Sequence, residues 1–139
     1  MAFSKWCEKY GMFFLRISFG IISLWFGLIS LLDPSSLGVF VNGFGINAVG
    51  VMSLIVGVAA LLLSVMFFIG FFTKVAAIVA IVISVIGLVS LFLVESFKTG
   101  FPYLSTLGAF LVKDFIVLAA AFVLASAKDI PLSLDNLFK

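Results

Sequence analysis

Residues 48–94 read AVGVMSLIVGVAALLLSVMFFIGFFTKVAAIVAIVISVIGLVSLFLV and form a long, nearly uncharged stretch of the chain. Its only charged residue is Lys74, which together with Thr73 separates two apolar runs at residues 48–72 and 75–94. A helix needs about 20 apolar residues to cross the hydrocarbon core of a bilayer. Each run is long enough, so the sequence predicts two membrane-spanning helices joined by a very tight turn.

The composition of the whole chain agrees with a membrane location. Of its 139 residues, 65% are hydrophobic and 10% are charged, whereas soluble domains have about 45–50% apolar and about 25% charged residues. Such a small number of charged residues cannot cover the outside of a domain of this length. We therefore expect the domain to be surrounded by the lipid bilayer. The length suits a single membrane domain over residues 1–139. The net charge of +2, carried by scattered basic residues, argues against nucleic-acid binding.

Two further spans are expected on either side of this hairpin. The first covers residues 11–32 and ends at the turn signal Asp33-Pro34. The last covers about 105–127, because the uncharged stretch 115–127 is only about 20 Å long as a helix and cannot cross alone. The alternative is a short broken helix after Pro102. The prediction is therefore an all-α protein, a bundle of four transmembrane helices.

The distribution of lysines predicts the orientation. With four spans, one side holds the N-terminus, the turn at Lys74 and the C-terminal tail. That side carries Lys5, Lys9, Lys74, Lys128 and Lys139, whereas the loops on the other side carry only Lys98. Because positively charged loops stay in the cytoplasm, we expect both termini there.

Small residues recur on the expected helices at alternating spacings of three and four. The first helix has Gly20, Ser23, Gly27 and Ser30, and the second has Gly50, Ser53, Gly57, Ala60 and Ser64. Such stripes let membrane helices approach closely. A spacing that averages 3.5 is typical of left-handed bundles. The stripes therefore predict packing seams.

Three ionisable residues fall within the expected spans, where charge is costly and often functional: Arg16, Lys113 and Asp114. Arg16 can either snorkel to the interface or face the bundle together with Gly20. Lys113 and Asp114 can form a structural ion pair that orients the outer loops. Alternatively, they line a polar pocket at the outer mouth that holds a quinone, a lipid head group or a small polar solute. The candidate residues of that pocket are Arg16, Trp25, Tyr103, Lys113 and Asp114.

Metal and redox chemistry have little support in the sequence. The chain contains no histidine and one cysteine, Cys7, so it lacks the commonest metal ligand, the commonest general base and any internal disulfide. We predict no catalytic residues, no metal site and no cofactor; among cofactors, only a quinone held in the pocket is compatible with this composition.

Two groups of motifs resemble a known family. Near the C-terminus, residues 100–105 read GFPYLS and 108–114 read GAFLVKD; near the N-terminus, 14–20 read FLRISFG and 24–27 read LWFG. These motifs resemble the YkgB/RclC family of small bacterial inner-membrane proteins and the wider DoxX-like group. The resemblance implies a four-helix protein of the bacterial inner membrane that is associated with oxidative or reactive-chlorine stress. It departs at Ser30, where relatives often carry a lysine.

Three functions remain in competition at this stage. The first is a non-catalytic component of a stress or redox system that works through a protein partner, a bound small molecule or a homo-oligomer. The second is a quinone-interacting membrane oxidoreductase subunit. The third is a small-solute transporter.

Overall fold

The computed structural model describes residues 2–93, 98–100, 103–104, 112–127 and 133–134. Five α-helices dominate these residues: α1 (Ala2–Leu32), α2 (Gly38–Gly43), α3 (Val49–Ile69), α4 (Thr73–Leu93) and α5 (Asp114–Ser126). A 3-10 helix, Pro34–Leu37, precedes α2, and two short strands, β1 (Lys98–Gly100) and β2 (Tyr103–Leu104), lie between α4 and α5. The expectation of a helical membrane protein is confirmed.

Three of these helices are long and apolar enough to cross a membrane. The qualifying segments are Tyr10–Leu32, Val49–Ile69 and Thr73–Ser90. The fourth apolar helix, α5, has 13 residues and is about 20 Å long, which is shorter than the roughly 30 Å of hydrocarbon. The segment 105–111, which the fourth span needs, lies outside the described residues, so the four-span count stays a prediction.

The helix boundaries differ most from the expected ones at the N-terminus. The first span is expected at residues 11–32, whereas α1 is a continuous helix from Ala2. No proline or glycine interrupts residues 2–10, so the helix extends beyond the apolar run. The end of α3 is clearer, since Gly70 adopts a left-handed conformation (φ 74°) and caps the helix there.

The small-residue stripes of α1 and α3 form the tightest seam in the described structure. The helices run antiparallel, with Gly20 near Ser64 and Gly27 against Gly57. The Ser64 hydroxyl donates to the Gly20 carbonyl at 2.9 Å, and the Ser53 hydroxyl donates to the Ser30 carbonyl. Lipid is as apolar as the helix surfaces, so this close approach and these hydrogen bonds hold the pair together.

Gly50 does not belong to that seam, although its spacing places it on the same stripe. It is exposed, and a Cβ built on it would meet nothing within 4 Å. Ser53, which follows Gly50 by one turn of α3, lies beside Ser30, close to the end of α1 at Leu32. Because the two helices run antiparallel, Gly50 lies beyond the last residue of α1. The partner helix has simply ended.

The four longer helices meet at the end of the bundle that holds the α3–α4 connection, which we call the turn end. Their shared core consists of Phe19, Leu63, Phe67, Ala76, Ala77, Ala121 and Leu124. Elsewhere α1 packs chiefly against α3 and α4 against α5, with lighter contacts between the two pairs. The turn end is therefore where the two pairs are joined.

The opposite end, which we call the loop end, carries the short elements. Asp33 caps the 3-10 helix by accepting a hydrogen bond from the Ser35 amide at 3.2 Å. The 3-10 helix contacts α1 and α3, and α2 contacts α3 and α4, so this segment covers the loop end. The strands β1 and β2 pair antiparallel, with Lys98 opposite Leu104 and Gly100 opposite Tyr103; this pairing was not expected from the sequence.

Candidate functional site: the Arg16 junction

Among the residues that the structure describes, Arg16 is the one charged residue whose side chain is almost completely buried. It is 2% exposed and lies on the α1 face that carries Phe19 and Gly20, both of which are buried. Of the two interpretations of this residue, snorkelling to the interface and facing the bundle, the structure has the second. Its burial makes it the natural centre of any polar site at the turn end.

The guanidinium lies directly against Gly70. A Cβ built on Gly70 would come within 2.2 Å of Nη1 and 2.9 Å of Cζ of Arg16, so a larger residue here would force the guanidinium to shift. Gly70 also has φ 74°, a left-handed conformation that glycine adopts without steric cost. Two independent constraints, conformation and space, therefore favour glycine at this position.

Phe13 provides the apolar side of the junction. Its ring centroid lies 5.5 Å from Cζ of Arg16, within the range in which a cation is attracted to a ring face. The two residues are three apart on α1, a spacing that makes side chains neighbours on a helix. The aromatic ring thus covers part of the guanidinium that would otherwise face lipid.

The segment after α5 reaches the same point. The Ser133 hydroxyl donates to the Gly70 carbonyl at 2.5 Å, and Ser133 is 7% exposed. Its Cα would lie 2.9 Å from a Cβ on Gly70. We call the group Phe13, Arg16, Gly70 and Ser133 the Arg16 junction, because it joins α1, the end of α3 and the segment following α5.

Electrostatics favour a cation at this position. The junction lies at the C-terminus of α3, where the Met66 carbonyl accepts hydrogen bonds from the amides of Gly70 (2.9 Å) and Phe71 (3.1 Å). The C-terminal end of a helix carries partial negative charge, which stabilises a nearby cation by about 0.3–1 kcal/mol and by about 2 kcal/mol when partly buried. Arg16 therefore offsets part of its desolvation cost through the helix end that it contacts.

Trp25 is not part of this site. Its side chain is 68% exposed, whereas Arg16 is buried on the same helix. The two residues are nine positions apart, and nine steps of 100° place them on opposite faces of a helix. Arg16 and Trp25 therefore cannot line the same pocket, as the sequence had suggested. Trp25 lies on the face directed to lipid.

Lys113 and Asp114 lie far from Arg16. Asp114 begins α5 and is half-buried, whereas Lys113 immediately before it is exposed. The junction contacts Ser133, beyond the other end of α5, so the two sites are separated by about the 20 Å length of that helix. The side chain of Tyr103 lies outside what the structure describes. The described residues therefore do not bring Arg16, Lys113 and Asp114 into one pocket.

The contributions of Gly70 and Ser133 were missed by the sequence reasoning. Gly70 carries a recognisable signal, since a glycine that follows an apolar run commonly caps a helix. Ser133 carries none, because its contact depends on the path of the chain after α5. Within the described part of the chain, no group of three or more Cys, His, Asp and Glu side chains is placed to hold a metal ion.

The fold and the buried junction define a helical membrane protein whose few interior polar groups hold helices together. The DoxX family model matches residues 11–96, which is more than half of the chain. The chain therefore belongs to the DoxX family. The comparison with curated proteins and the comparison with solved structures each gave no match.

Proposed function

We propose that the chain is a four-span protein of the bacterial inner membrane, with the turn end on the cytoplasmic side. The exposed Lys74 in the first turn of α4, beside the α3–α4 connection, supports this orientation, because basic residues next to the spans are retained on the cytoplasmic side. The hydrogen bond between Ser133 and Gly70 also supports it, since it places a residue that follows α5 at the same end of the bundle as Lys74. In this arrangement α5 is the inner part of a fourth span that residues 105–111 complete.

The proposed role is that of a non-catalytic component of an oxidative or reactive-chlorine stress or redox system. Membership of the DoxX family and the likeness of the 100–105 and 108–114 motifs to the YkgB/RclC branch support it. The protein would act through a protein partner, a second copy of itself or a bound small molecule, rather than by chemistry of its own.

The observation that carries this proposal is the enclosure of Arg16. At 2% exposure, with Gly70, Phe13 and Ser133 around it, this charge serves the assembly of the helices. A catalytic or transport group must instead be reachable by its substrate. The buried charge is thus best explained as part of a scaffold.

A complementation experiment tests the proposal. A strain that lacks the gene is challenged with hypochlorous acid, and the wild-type chain, an Arg16→Ala variant and a Lys74→Ala control are each restored. We expect the wild type and Lys74→Ala to restore growth and Arg16→Ala to fail, and we expect a protein to co-purify with the wild type. Equal survival with and without the gene would overturn the stress role.

Two further measurements, mass spectrometry of the purified sample and solute flux in liposomes, decide between this role and its alternatives. Stoichiometric quinone would favour the oxidoreductase subunit. Solute flux in liposomes that disappears with Asp114→Asn would favour a transporter. Quenching of Trp25 by added quinone is a poor test by itself, because the exposed Trp25 meets any quinone dissolved in lipid.

A further inference from the structure

The turn end contains two methionines, one on each helix of the α1–α3 pair. Met12 on α1 and Met66 on α3 are half-buried, and both pack against the shared core that includes Phe19 and Phe67. That core is where the α1–α3 pair is joined to the α4–α5 pair. The two thioethers therefore lie at the joint between the halves of the bundle, and neither residue is fully enclosed.

Both methionines also adjoin the Arg16 junction along their own helices. Met12 precedes Arg16 by four residues, and Met66 precedes Gly70 by four, a spacing that makes residues neighbours on a helix. The Met66 carbonyl accepts the amide hydrogen bonds of Gly70 and Phe71 that end α3. A change in the polarity of either side chain would thus affect the shared core next to the end of α3.

Met52 provides a comparison within the same chain. It lies three residues after the first residue of α3, Val49, just as Met66 lies three residues before the last, Ile69. Met52 is likewise half-buried. It lies at the loop end, about 16 Å along the helix from Leu63, the first member of the turn-end core on α3. The two methionines of α3 therefore differ in what they pack against rather than in their distance from a helix end.

We propose that Met12 and Met66 are oxidation sites through which a two-electron oxidant, such as hydrogen peroxide, loosens the joint between the two helix pairs. The thioether sulfur attacks one oxygen of the peroxide, and the O–O bond breaks as the S–O bond forms. The proton of the transferred oxygen goes to the departing hydroxide, which leaves as water. The sulfur loses the two electrons that reduce the peroxide, and the product is methionine sulfoxide.

The position of the two side chains gives the oxidation its effect. A thioether is apolar and flexible, whereas a sulfoxide is polar and disrupts packed cores. A polar group without hydrogen-bond partners in an apolar core is unfavourable. The sulfoxides therefore favour withdrawal of both side chains from the core, and the contacts between the two helix pairs are concentrated there. A sulfoxide at Met52 leaves this core unchanged.

Peroxide treatment of the purified full-length protein in detergent micelles tests the proposal. A Cys7→Ser background removes the only thiol, so that the methionines are the residues that peroxide oxidises most readily. Peptide mass spectrometry measures the sulfoxide fraction at Met12, Met52 and Met66 separately. The peroxide concentration is one that oxidises a short methionine peptide completely, and the melting temperature is measured before and after treatment.

We expect sulfoxide at both Met12 and Met66 and a fall in melting temperature of about 5 °C or more, as for polar groups placed in a packed core. The double variant Met12→Leu, Met66→Leu removes both thioethers with little change in volume, and its melting temperature should not fall on treatment. Met52→Leu is the matched control and should fall as far as the parent. Circular dichroism confirms that each variant keeps its helices; if the double variant does not, each single leucine variant should fall less than the parent.

A distance measurement addresses the joint itself. Nitroxide labels at Ser18→Cys on α1 and Ser126→Cys on α5, both exposed positions, report the separation of the two helix pairs by pulsed electron paramagnetic resonance. Oxidation should lengthen or broaden this distance in the parent and in Met52→Leu. Equal falls in melting temperature with and without Met12 and Met66, an unchanged distance after both are oxidised, or no sulfoxide at either site would overturn the proposal. These measurements do not depend on the proposed stress role.

Discussion

Gly27 and Gly57 lie face to face where α1 crosses α3. A Cβ built on Gly27 would come within 3.0 Å of the Gly57 carbonyl oxygen, and one built on Gly57 would come within 3.2 Å of the Gly27 carbonyl oxygen and 2.6 Å of Leu31 Cγ. The two backbones therefore approach so closely that neither position has room for a side chain, and the packing of α1 against α3 depends on both glycines.

Enlarging Gly57 should separate the pair. We expect Gly57→Val to lower the free energy of unfolding by about 1–3 kcal/mol, the usual cost of overpacking a tight interface. Gly50→Val is the matched control, because Gly50 lies on the same helix with nothing within 4 Å of its Cβ position. Denaturation in detergent micelles measures both; equal losses in the two variants would argue against the crossing.

Removing the Arg16 side chain should be more damaging than removing an exposed cation at the same end. Arg16→Ala leaves a void against Phe13 and Gly70, so we expect a loss of about 2–5 kcal/mol, as for other large buried side chains. Lys74→Ala should stay within about 0.5 kcal/mol of the wild type, because Lys74 is exposed. An Arg16→Ala variant as stable as Lys74→Ala would show that the junction does not hold the helices.

The chain contains an internal control for the steric role of Gly70. Gly45 has the same φ of 74°, but a Cβ built on it would meet nothing within 4 Å. Gly70→Ala and Gly45→Ala therefore impose the same backbone strain, and only the first also collides with Arg16. We expect a clearly larger fall in melting temperature for Gly70→Ala; matching falls would mean that the guanidinium moves aside freely.

Trp25 should report on lipid contact. In a Trp6→Phe background it becomes the only tryptophan, and its exposure predicts strong quenching by lipids with brominated chains. Trp25→Leu should leave the stability within about 0.5 kcal/mol of the wild type. If brominated lipids fail to quench Trp25, that face is covered by a second copy or by a partner.

Much of the helical framework follows from sequence, because membrane spans and seams depend on local patterns. The runs on either side of Lys74 predict α3 and α4. The spacing of Gly27 and Ser30 on α1, and of Ser53 and Gly57 on α3, predicts the seam between α1 and α3. Gly50 shows the limit of such patterns, since a stripe does not reveal where the partner helix ends.

The candidate site was less accessible to sequence reasoning. The burial of Arg16 follows from its place on the small-residue face, and the separation from Trp25 follows from nine helical steps. In contrast, Ser133 and Gly70 are 63 residues apart, and no local pattern encodes their contact. The distance between Arg16 and Asp114 likewise depends on how α5 is placed in the bundle.

Labelling from the two sides of the membrane shows whether the loop end and the turn end lie on opposite faces of the bilayer. In a Cys7→Ser background, which removes the only native cysteine, single cysteines are placed by Asn47→Cys at the loop end and Lys74→Cys at the turn end, both exposed positions. A membrane-impermeant maleimide is added to spheroplasts and to inverted vesicles. We expect Asn47→Cys to react only in spheroplasts and Lys74→Cys only in inverted vesicles; reaction of both variants from the same side would show that α3 does not cross the bilayer.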